Sequence, residues 1–159
     1  CFLPHGNYQK LVVEEMKDKP KSGNIVTEDG EVLGKHNGLF NYTIGQRKGL
    51  GIAYKHPLYV IGFNGERNEV IVGPNDRLFT NRMICKFYNF LDDTIHKELK
   101  AEGKIRYAAN PSPCTARILD DDTMEVIFEE PQRAITPGQS VAFYNGTQLL
   151  GGAVIDRVC

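Results

Sequence analysis

Four cysteines are the residues of this chain best suited to covalent chemistry: Cys1, Cys85, Cys114 and Cys159. They are widely spaced, with no Cys-x-x-Cys pair and no matching pair of histidines, so neither a zinc site nor a disulfide framework is indicated. Cys85 lies inside an alternating run and Cys114 begins another, where free cysteines usually pack as small hydrophobic residues. We expect both to be buried. Considered by itself, Cys1 fits either a reactive thiol or a cysteine without a functional role.

Several polar residues could contact RNA. Arg106 can bridge phosphate oxygens and the adjacent Tyr107 can stack on a base, although a surface arginine beside a core tyrosine would give the same sequence. Arg47-Lys48 adds two cations to a glycine-rich loop whose N–H groups could approach a phosphate; a purely structural junction is the alternative. Gln139 follows Pro137-Gly138, a pair typical of type II turns, which we expect to present Gln139 at the mouth of a barrel.

Histidines and acidic residues are weaker candidates for chemistry. His5 and His36 could act as general bases, but surface or capping roles are the more common fate of single histidines. The run Asp120-Asp121-Asp122 could attract a cation, but it suits a solvated hairpin turn better. The sequence therefore predicts no metal site in this chain.

Composition sets the class of protein. The chain has 159 residues, of which 41% are hydrophobic and 25% charged, so it can form one medium domain or two small ones and is not disordered. Its net charge of −1 does not indicate a nucleic-acid binder, so a local basic surface would be needed. No membrane-length apolar stretch or signal peptide is recognisable, and we expect a cytoplasmic protein. Because the chain begins at Cys1, we expect further residues on its N-terminal side.

The first half of the chain reads as a small β-rich region. Residues 7–17 have apolar spacing that predicts a short amphipathic helix. Asp29-Gly30 between two alternating runs predicts a hairpin, and a helical turn is expected after Asn37. Residues 57–63 and 68–74 predict two further strands.

The second half has the regular short strands of a barrel or sandwich. Strands are predicted, each bounded by Gly, Pro or Asp, over residues 83–90, 103–109, 114–119, 124–130, 140–146 and 147–155. Asn145-Gly146 suits a type I′ hairpin turn, which requires two positive φ angles.

Several strings resemble the tRNA-specific 2-thiouridylase family, which converts the wobble uridine of certain tRNAs to 2-thiouridine. The resemblance runs from the opening CFL to residue 155, and its most specific strings are NYTIGQRKGLGI and ITPGQSVAFYNG. The SGGxDS-type phosphate loop of the family's ATP pyrophosphatase domain does not occur in this chain.

The resemblance implies roles for individual residues. Cys1 would receive a persulfide sulfur and deliver it to the uridine, while Arg106, Tyr107 and Gln139 match positions that contact tRNA. ATP would adenylate O2 of the base, the persulfide sulfur would attack C2 as AMP departs, and a cysteine outside this chain would close a disulfide. ATP and magnesium would bind to the absent domain and not to this chain, and a cysteine desulfurase or sulfur-relay protein would load the thiol.

The resulting prediction is an α+β, mostly β chain. Residues 1–80 would form a central β-rich linker domain that carries Cys1, and residues 81–159 an antiparallel β-barrel that binds tRNA. We expect a monomer that is inactive without the ATP-binding domain. The alternatives are a non-catalytic RNA- or ribosome-binding barrel, which has no use for a reactive thiol, and a structural adaptor with little affinity for RNA.

Overall fold

The computed structural model describes residues 21–92 and 97–159, which belong to two compact units. Unit 1 extends as far as Arg77 and unit 2 begins at Leu78. Cys1, His5 and the helix predicted over residues 7–17 lie outside the described residues.

Unit 1 is built on a four-stranded sheet. Its strands, in the order β2-β1-β4-β3, are β1 (Gly23–Thr27), β2 (Val32–His36), β3 (Tyr59–Asn64) and β4 (Glu69–Gly73). β1 and β4 pair in parallel at the centre, and both outer pairs are antiparallel. The predicted hairpin at Asp29-Gly30 is confirmed: Gly30 has φ 86°, a conformation that glycine adopts without steric cost. Both strands predicted near residues 57–74 are confirmed as well.

A long connection, residues 37–58, leads from β2 at one edge of this sheet to β3 at the other. It begins with the predicted helical turn, a 3-10 helix at Leu39–Asn41. Leu50 and Leu58 of the connection are buried in one cluster with the apolar residues of the sheet: Ile25, Val60, Val70 and Val72. The connection therefore packs on the sheet, which holds the glycine-rich stretch against a fixed surface.

Unit 2 is a closed antiparallel barrel, as predicted. Its six strands are β5 (Phe79–Phe90), β6 (Glu98–Lys104), β7 (Ser112–Ile118), β8 (Thr123–Arg133), β9 (Ser140–Asn145) and β10 (Gln148–Val158). Their order around the barrel is β10-β5-β8-β7-β6-β9. Because the sheet closes on itself, neither edge is left unpaired.

Large side chains fill the barrel. Met83, Met124, Phe128, Phe143 and Ile155 are fully buried inside it. Small residues on β6 make room for them, because a Cβ added at Gly103 would lie 2.8 Å from the Phe128 ring and 2.9 Å from the sulfur of Cys114.

The sequence prediction misplaced β6. The strand expected over residues 103–109 runs from Glu98 to Lys104 and ends before Arg106. Its alternation places the small or apolar Leu99, Ala101 and Gly103 inward between charged residues. This weakly apolar pattern has the period of a strand but little hydrophobicity, so it is easily missed.

The turn between β9 and β10 also differs from its prediction. Asn145 pairs with Gln148, so the two-residue loop is Gly146-Thr147 and not Asn145-Gly146. Among these residues only Gly146 has a positive φ, 58°. A positive φ at the first loop residue alone is typical of a type II′ turn rather than type I′.

Candidate functional site

Arg106 and Tyr107 lie in a tight turn just beyond β6. Ile105 is the last buried residue before the turn, and the N–H of Ala109 donates to the carbonyl of Arg106 at 3.1 Å. The guanidinium of Arg106 donates to the carbonyl of Arg133 at 2.6 Å. The ring of Tyr107 is 97% exposed, with Nζ of Lys104 at 5.6 Å from its centroid. The alternative in which Tyr107 fills the core is therefore wrong.

Gln139 closes a second turn, which is anchored to β10. Its N–H donates to the carbonyl of Thr136 at 3.2 Å, and Gly138 has φ 85°, which confirms the type II turn at Pro137-Gly138. The N–H of Gly138 donates to the carbonyl of Ile155, and the N–H of Ile155 donates to the carbonyl of Gln139, both at 2.8 Å. The exposed Gln139 is thus carried on a fixed backbone.

Strand register brings these two turns to one end of the barrel. Lys104 on β6 pairs with Ala142 on β9, so the residues that follow Lys104 lie beside those that precede Ala142. Arg106, Tyr107 and Gln139 therefore share this end, which we call the Arg106 end. Glu129 and Glu130 also lie toward it on β8, so its positive charge is partly offset.

The acidic run occupies the opposite end of the barrel, in the hairpin between β7 and β8. The carboxylate of Asp120 accepts the N–H groups of Asp122 at 3.0 Å and of Thr123 at 2.8 Å. The hydrogen bond from the Asp122 backbone is the main cause that lowers the pKa of Asp120. Asp120 is therefore a turn-stabilising residue, as predicted, and no group of three potential metal ligands occurs among the described residues.

Cys85 and Cys114 are buried free thiols in the barrel core, which confirms their predicted packing role. Burial raises the pKa of Cys85 to about 12 and that of Cys114 to about 11. A thiol must ionise to act as a nucleophile, so neither is suited to carry sulfur. Cys159 is free and exposed, while Cys1 lies outside the described residues.

Gln46 organises the loop that carries Arg47 and Lys48. Its side-chain oxygen accepts the N–H of Thr43 at 3.0 Å, and its side-chain nitrogen donates to the carbonyl of Lys48 at 2.9 Å. Its backbone carbonyl accepts the N–H of Val60 at 2.9 Å, which ties the loop to β3. The two cations therefore project from a backbone with a defined shape.

His36 is a structural residue of unit 1 and not a general base. It is 1% exposed. Its Nδ1 accepts the N–H of Gly38 at 3.0 Å, so Nε2 carries the proton and donates to the carbonyl of Asn68, also at 3.0 Å. Both ring nitrogens are thus occupied, in keeping with the expected capping role but not with a surface position.

Comparison with known proteins accounts for both units. Residues 10–74 match the tRNA methyl transferase PRC-barrel domain, and residues 80–155 match the aminomethyltransferase beta-barrel domain. Over 99% of its length, the chain is 45% identical to the tRNA-specific 2-thiouridylase MnmA of Geotalea uraniireducens and 42% identical to that of Clostridioides difficile strain 630. The chain belongs to the tRNA-specific 2-thiouridylase family.

The match covers only part of each family member. The chain spans 42% of the Geotalea protein and 44% of the Clostridioides protein. The activity of those proteins is therefore carried to this chain only as a proposal. Within the described ranges, no helix has the length and apolar character needed to cross a bilayer.

One group of residues in this family member escaped the sequence prediction. Tyr54, Lys55 and His56 join Arg47 around a cleft of about 400 Å³ in unit 1. The sequence feature that could have revealed them is a charge pattern and not a motif, because residues 32–65 contain no aspartate or glutamate.

Proposed function

We propose that this chain is the sulfur-carrying and RNA-contacting part of a tRNA 2-thiouridine synthase. The observation that carries the proposal is the ring of Tyr107, which is 97% exposed beside Arg106 at one end of the barrel. An aromatic ring in solvent next to a guanidinium can stack on an unpaired base while the cation neutralises the adjoining phosphate. The names of the relatives, tRNA-specific 2-thiouridylase, support tRNA as the RNA.

Positioned groups, and not bulk charge, would provide this contact. The chain has a net charge of −1, and Glu129 and Glu130 lie toward the Arg106 end. Long-range attraction is therefore weak, and the affinity of this chain for tRNA would be modest and would fall with salt. The anchored turn gives Gln139 a fixed direction, so that it can bond a base edge or the RNA backbone.

Sulfur transfer is proposed for Cys1. The outer sulfur of a Cys1 persulfide would attack C2 of a uridine whose O2 has been adenylated, and AMP would leave with that oxygen. A second thiolate would then attack the inner sulfur, which releases 2-thiouridine and leaves a disulfide. Cys85 and Cys114 are unsuited to either step because burial holds their thiols protonated.

Other participants belong to the remainder of the protein or to partners. ATP and magnesium would bind outside this chain, since its sequence contains no SGGxDS-type phosphate loop. The chain alone would therefore not thiolate tRNA. A cysteine desulfurase or a sulfur-relay protein would load Cys1, and the protein would act as a monomer in the cytoplasm.

Truncation of Tyr107 tests the proposed surface. Because the ring has almost no protein contacts, Tyr107→Ala should leave folding unchanged yet weaken tRNA binding by the whole chain about tenfold, within the ~1–3 kcal/mol of base stacking. Tyr107→Phe keeps the ring and should retain affinity. Fluorescence anisotropy with labelled, unmodified tRNA measures both dissociation constants.

Asp121→Asn provides the matched control at the opposite end of the barrel. It should leave tRNA affinity close to that of the unchanged chain. Wild-type affinity in Tyr107→Ala, or equal effects of the two substitutions, would show that the Arg106 end does not contact tRNA.

A further inference from the structure

One stretch of unit 1 has a net positive charge because it lacks acidic residues. Residues 32–65 contain no acidic residue, although the whole chain has 20 of them. The lysines and arginines of the stretch are Lys35, Arg47, Lys48 and Lys55. Most of these lie in the connection that packs on the unit 1 sheet, so a nearly neutral protein carries a locally cationic surface there.

Arg47 and Lys55 of this stretch differ from several barrel cations, which form ion pairs. On the barrel, Arg82, Lys86 and Arg117 each pair with a carboxylate within about 3.2 Å. By contrast, neither Arg47 nor Lys55 forms an ion pair anywhere in the part of the chain that the structure describes. Their charges remain available to a ligand.

The cationic residues surround a cleft that also contains an aromatic ring. Arg47 and Lys55 line the cleft of about 400 Å³, a size within the range of small-ligand sites. Tyr54 lines the same cleft, with its ring edge-on to His56 at a centroid distance of 4.9 Å. Nζ of Lys55 is 5.8 Å from the Tyr54 centroid. Among the residues that the structure describes, no acidic one lines the cleft.

Gly49 and Gly51 allow a ligand to approach the backbone of the cleft wall closely. Gly49 and Gly51 have φ angles of 76° and 67°, which other residues rarely adopt. A Cβ added at Gly51 would meet nothing within 4 Å, so tight packing does not require this glycine. Within this loop the side chain of Gln46 bonds to Thr43 and Lys48, whereas the N–H groups of residues 47–49 have no acceptor among the described residues. Successive N–H groups without an internal acceptor can bind phosphate oxygens.

We propose that this cleft binds a single-stranded phosphodiester segment of RNA. Arg47, Lys55 and the open N–H groups would contact phosphates, and Tyr54 would stack on a base. Unpaired cations, open backbone and an aromatic ring together match the way proteins hold single strands. An acidic peptide would use the cations but has no need of the ring. The cleft proposal depends on the proposed function only for the identity of the RNA, because the cleft lies in unit 1 and the Arg106 end belongs to the barrel.

Charge removal in the whole chain tests the cleft. The double variant Arg47→Gln, Lys55→Gln is titrated with labelled tRNA and with a single-stranded uridine dodecamer at several salt concentrations. Loss of two phosphate contacts should reduce the slope of log affinity against log salt by about 1.4 for the dodecamer, since each single-strand contact contributes about 0.7. Lys35→Gln is the matched control, because Lys35 lies in the same acid-free stretch but does not line the cleft.

Stacking is tested separately at Tyr54. Tyr54→Leu should weaken dodecamer binding about tenfold, whereas Tyr54→Phe should not, because only the ring is needed. Thermal unfolding of each variant ensures that folded proteins are compared.

The outcomes separate this site from the barrel surface. An unchanged salt slope in the double variant, or an equal loss in Lys35→Gln, would overturn the cleft proposal. Loss of binding to a polyglutamate peptide with unchanged RNA binding would overturn it in favour of an acidic protein partner. If Tyr107→Ala has no effect while the double variant weakens binding, the barrel assignment fails and the cleft stands; the reverse result refutes the cleft alone.

Discussion

Burial determines which thiols of this chain can react. Cys85 and Cys114 face the barrel core, where desolvation of the thiolate is the largest cause of their raised pKa values. The same core that needs their small volume thus suppresses their chemistry. The sulfur-carrying role proposed for Cys1 therefore does not extend to these two thiols.

Alkylation should reveal this difference directly. At pH 8 iodoacetamide should modify Cys159, which is exposed, while Cys85 and Cys114 react only after unfolding. Their native pKa values of about 12 and 11 exceed the ~8.5 of an ordinary thiol. The unfolded state therefore ionises first, and these two groups should lower barrel stability as pH rises above about 9. Peptide mass spectrometry measures the labelling; rapid native modification of Cys85 or Cys114 would refute their buried assignment.

Tyr107 shows where residue-level prediction reaches its limit. The sequence identified the pair Arg106-Tyr107 but left open whether the ring was in the core or in solvent. Its exposure depends on β6 ending at Lys104, and the strand boundary was the part of the prediction that was wrong.

At the scale of elements, contacts centred on Asn68 join the strands of unit 1. The carbonyl of Asn68 accepts from His36 at the end of β2, and its side-chain amide donates to the carbonyls of Lys21 at 3.1 Å and Ser22 at 2.9 Å. Gly23 faces the same carbonyl, and a Cβ placed there would lie only 1.9 Å from it. The hairpin between β3 and β4 is thereby tied to both β1 and β2.

Gly23→Ala should therefore destabilise unit 1, by about 1–3 kcal/mol, the range typical of overpacking. Hydrogen exchange of the whole chain should show faster exchange at the amides of β1 and β4. Gly65→Ala is the control, because a Cβ at Gly65 would meet nothing within 4 Å. Equal exchange in the two variants would contradict the proposed role of this contact.

Local patterns predicted most strands but not how they pair. β3, β4, β7 and β9 combine β-branched or aromatic residues with turn residues at their ends, so sequence alone identified them. Closure of the barrel depends on the pairing of β6 with β9 and of β5 with β10, and no local pattern specifies such distant partners. The cleft of unit 1 was missed for a similar reason, since the connection must fold onto the sheet before Arg47, Tyr54 and Lys55 line one cleft.

Across the whole molecule, a net charge of −1 conceals an uneven distribution. Several barrel cations, among them Arg82, Lys86 and Arg117, pair with carboxylates, whereas residues 32–65 contain no acidic residue. The net charge of the whole chain therefore underestimates its capacity to bind a polyanion. Each unit offers one candidate RNA contact that combines cations with an aromatic ring, Tyr54 in unit 1 and Tyr107 in unit 2.

Replacement of Cys1 by serine in the complete protein tests whether this residue carries the sulfur. The substitution removes the atom that would carry sulfur, while the barrel surface and ATP chemistry are untouched. 2-Thiouridine, measured by mass spectrometry of tRNA nucleosides, should disappear, whereas tRNA binding should persist. Cys85→Ser should lower stability but retain thiolation in the folded fraction. If the Cys1→Ser protein formed 2-thiouridine at a normal rate, the sulfur-carrying role would be contradicted, and an RNA-binding module would be the better description of this chain.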